Sequence, residues 1–73
     1  MRAADASEEL RTALGIGGTA HALAPDGTRY RAQQQGEAEI KIRRFRPPDP
    51  DEPGENRAEE IDSEPGGVVW EPG

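Results

Sequence analysis

The residues of this chain able to do chemistry are mostly aspartates and glutamates, and one run of them has a metal-ligand spacing. Asp49, Asp51, Gly54 and Glu60 fall at positions one, three, six and twelve of an EF-hand calcium loop. Position five is Pro53, which offers no side-chain oxygen, and Pro47 and Pro48 forbid the incoming helix that such a loop requires. The run therefore reads as a solvated acidic linker, with no metal and no cofactor expected on it.

Nucleophilic catalysis needs a hydroxyl or thiol beside a base. The chain has no cysteine, and its serines, Ser7 and Ser63, have no base beside them in sequence. His21 is the sole histidine and reads as an ordinary strand residue. Gly15-Ile16-Gly17-Gly18 resembles a phosphate loop only in its glycines. It follows a helix instead of a strand and lacks the Lys and Ser/Thr that reach phosphate and metal, so it reads as a helix stop. No catalytic residue is expected.

Two groups point instead to binding. Arg29, Arg31, Lys41 and Arg43, extended by Arg44 and Arg46, form a basic group that can face nucleic acid, pair with acidic segments of the same chain or of another subunit, or stay a plain solvated face. Val68-Val69-Trp70, at the end of an acidic stretch, has the form of a docking peptide, with Ile61 as a second apolar anchor.

The elements that must position these groups follow from spacing. Asp5 with Glu8 three residues on predicts a helix start with a capping box. Ala6, Leu10, Ala13 and Leu14 then share one face of a helix of roughly ten residues, and Gly15 stops it. Beyond it, Pro25-Asp26-Gly27 and Gln34-Gln35-Gly36 read as three-residue loops of a three-stranded antiparallel meander. That register sets Ala22 opposite Tyr30, Ala32 opposite Ala38, and Tyr30 opposite Ile40. Ala20, Ala22, Ala24, Tyr30, Ala32, Ala38, Ile40 and Ile42 collect on one face, with Thr19, His21, Leu23 and the arginines on the other. Tyr30 lies away from the basic face, so no aromatic interleaves its charges for base stacking. Phe45 falls out of phase with Ile40 and Ile42, which predicts either a bulge at Arg43-Arg44 or the end of the strand.

Six of the seven prolines lie from Pro47 onward, so residues 47–73 read as an extended acidic arm on a body of residues 1–46. Within the arm, Glu55 to Asp62 can form one or two helical turns. The fold class expected is α+β: one N-terminal helix on a three-stranded antiparallel meander, followed by the Pro-rich arm.

Composition bounds what such a chain can be. It has 73 residues, 33% of them charged, a net charge of -6 and a mean hydropathy of -0.96. The charge is segregated: residues 28–48 carry six basic side chains against two acidic, and residues 49–73 one against nine. Large apolar side chains are few, and each returns only about 1.5–3 kcal/mol on burial. The chain is expected to order only part of itself without a partner.

No apolar run is long enough to span a membrane. Met1–Leu10 carries Asp5, Glu8 and Glu9 and no apolar stretch, so cytoplasmic synthesis without export is expected. The expected function is non-catalytic: a structural or interaction protein whose arm docks on neighbouring subunits of an oligomeric assembly, such as a minor or decorating component of a phage particle (virion). The alternatives are an acidic, antitoxin-like inhibitor occupying a basic cleft and, less favoured, a nucleic-acid-binding module using the basic sheet face. The acidic arm would compete with phosphate for the arginines.

Overall fold

The computed structural model describes residues 1–47, 51 and 57–73. It is an α+β fold in which one short helix lies on one face of an antiparallel sheet. A single 3-10 turn, Ala3–Asp5, precedes helix α1, Glu8–Leu14. The helix begins later than the Asp5 spacing predicts. Ser7 is the N-cap, and its Oγ accepts the Leu10 N–H at 3.1 Å. Asp5 belongs to the 3-10 turn, which leaves Ser7 as the last extended residue before the helix. The stop falls at Gly15 as expected, although φ of 48° with ψ of -146° lies outside the left-handed helical region. The buried face carries Leu10, Ala13 and Leu14, with Ala6 buried just ahead of the cap.

Five strands follow, not three: β1 Thr19–Leu23, β2 Arg29–Gln35, β3 Glu39–Arg46, β4 Arg57–Ile61 and β5 Glu71–Pro72. Their order in the sheet is β4-β3-β2-β1-β5. The meander is therefore one strand longer than predicted, and the C-terminal residues close both of its sides. The segment expected to hold helical turns carries β4 instead. There Ile61 pairs with Ile42, and Ala58 with Phe45, where an isolated helical turn would have had one apolar anchor. The N-terminal residues complete the same edge of β3. Met1 O accepts the Ile40 N–H at 2.8 Å and Ala38 O accepts the Ala3 N–H at 2.7 Å. Unpaired edge amides invite further strands, and here the chain's own ends occupy them.

The first hairpin has the predicted register, with Ala22 opposite Tyr30. Asp26 Oδ1 accepts the Thr28 N–H at 2.9 Å, and Gly27 takes φ of 92°. The second hairpin differs. Gln35 pairs with Glu39, so the loop is Gly36-Glu37-Ala38 and Ala32 lies opposite Ile42 instead of Ala38. The slide is four residues, an even number, so the two faces keep their composition. Its gain is length: the ladder runs on to Tyr30–Arg44 and Arg29–Phe45. The strand is regular through Arg46 and needs no bulge at Arg43-Arg44. Ala38 moves from the apolar face into the exposed loop.

Packing explains the alanines. Ala20, Ala22 and Ala32 are buried on the face beneath the helix, together with Ile40 and Ile42. Side chains that end at Cβ leave room above the sheet, and Leu10, Leu14 and Trp70 fill it. No helix of the described residues is long and apolar enough to cross a membrane.

Candidate functional site

Alternation along three adjacent strands places His21, Arg31 and Arg43 side by side on the face away from the helix. Glu71 of β5 and Glu60 of β4 terminate that row at its two ends. A second row holds Leu23, Arg29, Phe45 and Ala58. A shallow depression over this face is lined chiefly by Thr19, His21, Leu23, Arg29, Arg31 and Phe45. Among the described residues no element packs on it, and Leu23 stays 62% exposed.

The acidic ends of the row are already engaged. Lys41 Nζ lies 2.9 Å from Glu60 Oε1, and this hydrogen-bonded ammonium holds the Glu60 carboxyl below its usual range. Arg43 adds a weaker pull in the same direction. His21 Nε2 stands 3.4 Å from Glu71. Arg29 and Arg31 have no ion pair among the described residues.

The six basic residues do not act as one group. Arg29, Arg31, Lys41 and Arg43 share the uncovered face as the alternation predicts, whereas Arg44 and Arg46 fall on the helix side. Arg44 Nη2 bonds Glu59 Oε2, which raises the guanidinium pKa above its usual value. Arg46 adds a small charge effect to Asp26, whose carboxyl is lowered mainly by its hydrogen bonds from Thr28.

Phe45 is the residue that sequence reasoning left out of this face. Its signal was simple alternation with Lys41 and Arg43 along an unbroken strand. It supplies an aromatic among the arginines, where Tyr30 on the opposite side cannot.

The expected docking residues lie elsewhere. Trp70 is only 5% exposed and packs on its own chain, its ring 6.5 Å from that of Tyr30 at 64°. Its amide donates to Glu9 Oε1 at 3.2 Å and its Nε1 to Glu64 Oε2 at 3.3 Å. Ile61 and Val68 are half-buried against the core, and Val69 is 68% exposed. Glu64 also accepts the Ser7 N–H at 2.7 Å and its Oγ–H at 2.6 Å. The serine hydroxyl thus serves as a cap, donating to Glu64 and accepting from Leu10. No local pattern pointed to Glu64, because its partner lies 57 positions away.

The calcium-loop spacing falls mostly outside the described residues, and Glu60 within it is a strand residue bonded to Lys41. Among the described residues no group of three or more His, Asp or Glu side chains converges as metal ligands would. Comparison with protein-family models, with curated proteins and with solved structures finds no match.

Proposed function

We propose that the chain is a non-catalytic interaction protein, a small part of a larger protein assembly, that meets its partner through the uncovered face of its sheet. One observation carries this reading. A two-layer fold buries each apolar face against another element, yet Leu23 and half-buried Phe45 lie among arginines on a face that no element of the described residues covers. Arginine and aromatic side chains around an apolar contact are the composition enriched at the centres of protein interfaces. The partner surface is assigned to this face instead of Val68-Val69-Trp70, because Trp70 already fills a pocket of its own chain.

An inhibitor acting through a free acidic tail is less well supported. Glu59, Glu60 and Glu64 are engaged with Arg44, Lys41 and Ser7 of the same molecule.

Site-specific photo-crosslinking tests the proposal. A photoreactive side chain in place of Arg31 should crosslink a protein partner in the native source. The same group in place of Arg11, on the exposed side of the helix, should not. Equal crosslinking from both positions, or crosslinking from Arg11 alone, contradicts the assignment.

A further inference from the structure

Arg31 and Arg43 are direct cross-strand partners. Like charges placed directly opposite each other destabilise a sheet. Among the described residues two acids flank this row: Glu60, the cross-strand partner of Arg43, which also holds Lys41 at 2.9 Å, and Glu71, which faces His21 at 3.4 Å. Arg29 adds a third cation on the same face, two residues along β2. Arg31 itself stands between His21 and Arg43 with no acid beside it among the described residues, and local rules are typically broken where a site needs them broken.

We infer that the uncovered face takes an extended acidic segment of a partner protein, in which a carboxylate and an apolar side chain stand two residues apart. The inference rests on the proposed function and names the occupant of that same face. Paired strand residues lie about 5 Å apart, so one carboxylate above the sheet can accept from both the Arg31 and the Arg43 guanidinium groups. Bonds of this charge-assisted, forked kind are the strong ones. Two residues along an extended segment is about 6.6 Å, the step from the Arg31–Arg43 row to the row of Leu23, Arg29 and Phe45. An apolar side chain at that position covers Leu23 and the ring of Phe45, while its neighbours point to solvent.

A nucleic-acid strand suits the face less well. Its phosphates would run past Glu60 and Glu71 at both ends of the arginine row. Phe45 is the one aromatic on this face among the described residues, where single-strand binding uses successive stacking rings.

Fluorescence anisotropy of the full chain with defined probes tests this. The probe is a labelled peptide in which glutamate and leucine alternate, separated by single serines. Controls replace its glutamates by glutamine or its leucines by alanine, and a labelled single-stranded oligothymidylate forms a separate arm. The chain should bind the acidic peptide, more weakly at higher salt, and bind the glutamine control at least tenfold more weakly. The double variant Arg31→Glu and Arg43→Glu should lose binding at least tenfold, and should melt lower because residue 43 faces Glu60. Arg31→Gln with Arg43→Gln should lose it as well, which guards against misfolding of the first pair. Leu23→Ala and the alanine-substituted peptide should each weaken binding several-fold.

Equal binding by wild type and both double variants overturns the inference. So does no binding of the acidic peptide, whether or not the oligonucleotide binds. If crosslinking from Arg31 still captures a protein through a neutral or basic segment, the interaction role stands and only the acidic occupant fails.

Discussion

Glu64 caps the helix at Ser7 from across the chain: one carboxylate oxygen accepts the Ser7 N–H at 2.7 Å and the other its Oγ–H at 2.6 Å. In a capping box the acid three residues into the helix does this, but that position is Leu10, which is fully buried. The missing acceptor comes from the C-terminal segment, and the same carboxylate holds the Trp70 indole N–H. Local helix stability and the docking of Trp70 are thereby coupled through one side chain.

A double-mutant cycle tests that coupling. Ser7→Ala should cost about 0.5–2 kcal/mol, as loss of an N-cap does. Glu64→Ala should cost about 1–3 kcal/mol, because charged hydrogen bonds are the stronger kind. The double variant should lose less than the sum in urea denaturation. Strict additivity would show that the two residues do not act together.

Trp70 and Val69 are neighbours with opposite fates. Trp70→Ala should destabilise the fold by about 3–5 kcal/mol, the range for emptying a large aromatic site. Val69→Ala should change stability by less than about 0.5 kcal/mol, since its side chain faces solvent. Similar effects from both substitutions would contradict the inward placement of the indole.

The two loops' glycines separate in the same way. Gly36 takes φ of 71° in the β2–β3 turn, so Gly36→Ala should cost roughly 1 kcal/mol. Gly17 has no positive φ and open space around it, and Gly17→Ala should be neutral or stabilise by up to about 1 kcal/mol. Thermal melts of the two variants should move in opposite directions or differ plainly in size.

Acid should weaken the fold in a defined way. Glu60 and Asp26 are held below their ordinary values of 4.5 and 3.8, by Lys41 and by Thr28 respectively. A group lowered in the folded state contributes fully above its ordinary pKa, and that contribution is lost as pH falls through the lower folded value. The urea midpoint should stay level from pH 7 to about 5 and decline below that. A variant carrying Glu60→Gln and Asp26→Asn should decline less steeply, and an unchanged acid limb would contradict both assignments.

What was legible in the sequence was whatever alternation and short-range turn chemistry determine. Period-two spacing put Ala20, Ala22, Ala32, Ile40 and Ile42 on one face, and all are buried. Pro25-Asp26-Gly27 set the first hairpin through the Asp26–Thr28 bond. The second hairpin escaped because an even slide leaves both faces intact, so patterning could not choose between registers; the longer ladder to Phe45 did. β4 and β5 escaped because prolines and acids hid short strands that exist only by pairing with β3 and β1. Of the candidate site, Arg29, Arg31, Lys41 and Arg43 were readable from their spacing. Phe45 was readable too, once the strand runs unbroken through Arg44.

Residues 57–73 close onto the body of the same molecule, which is what leaves the arginine face to the proposed partner. Amide hydrogen exchange of the isolated monomeric chain tests it directly. Protection should be found at Trp70 and at the β4 amides bonded to β3, beside that of β1 to β3. Free exchange throughout residues 57–73, with β1 to β3 still protected, would contradict it.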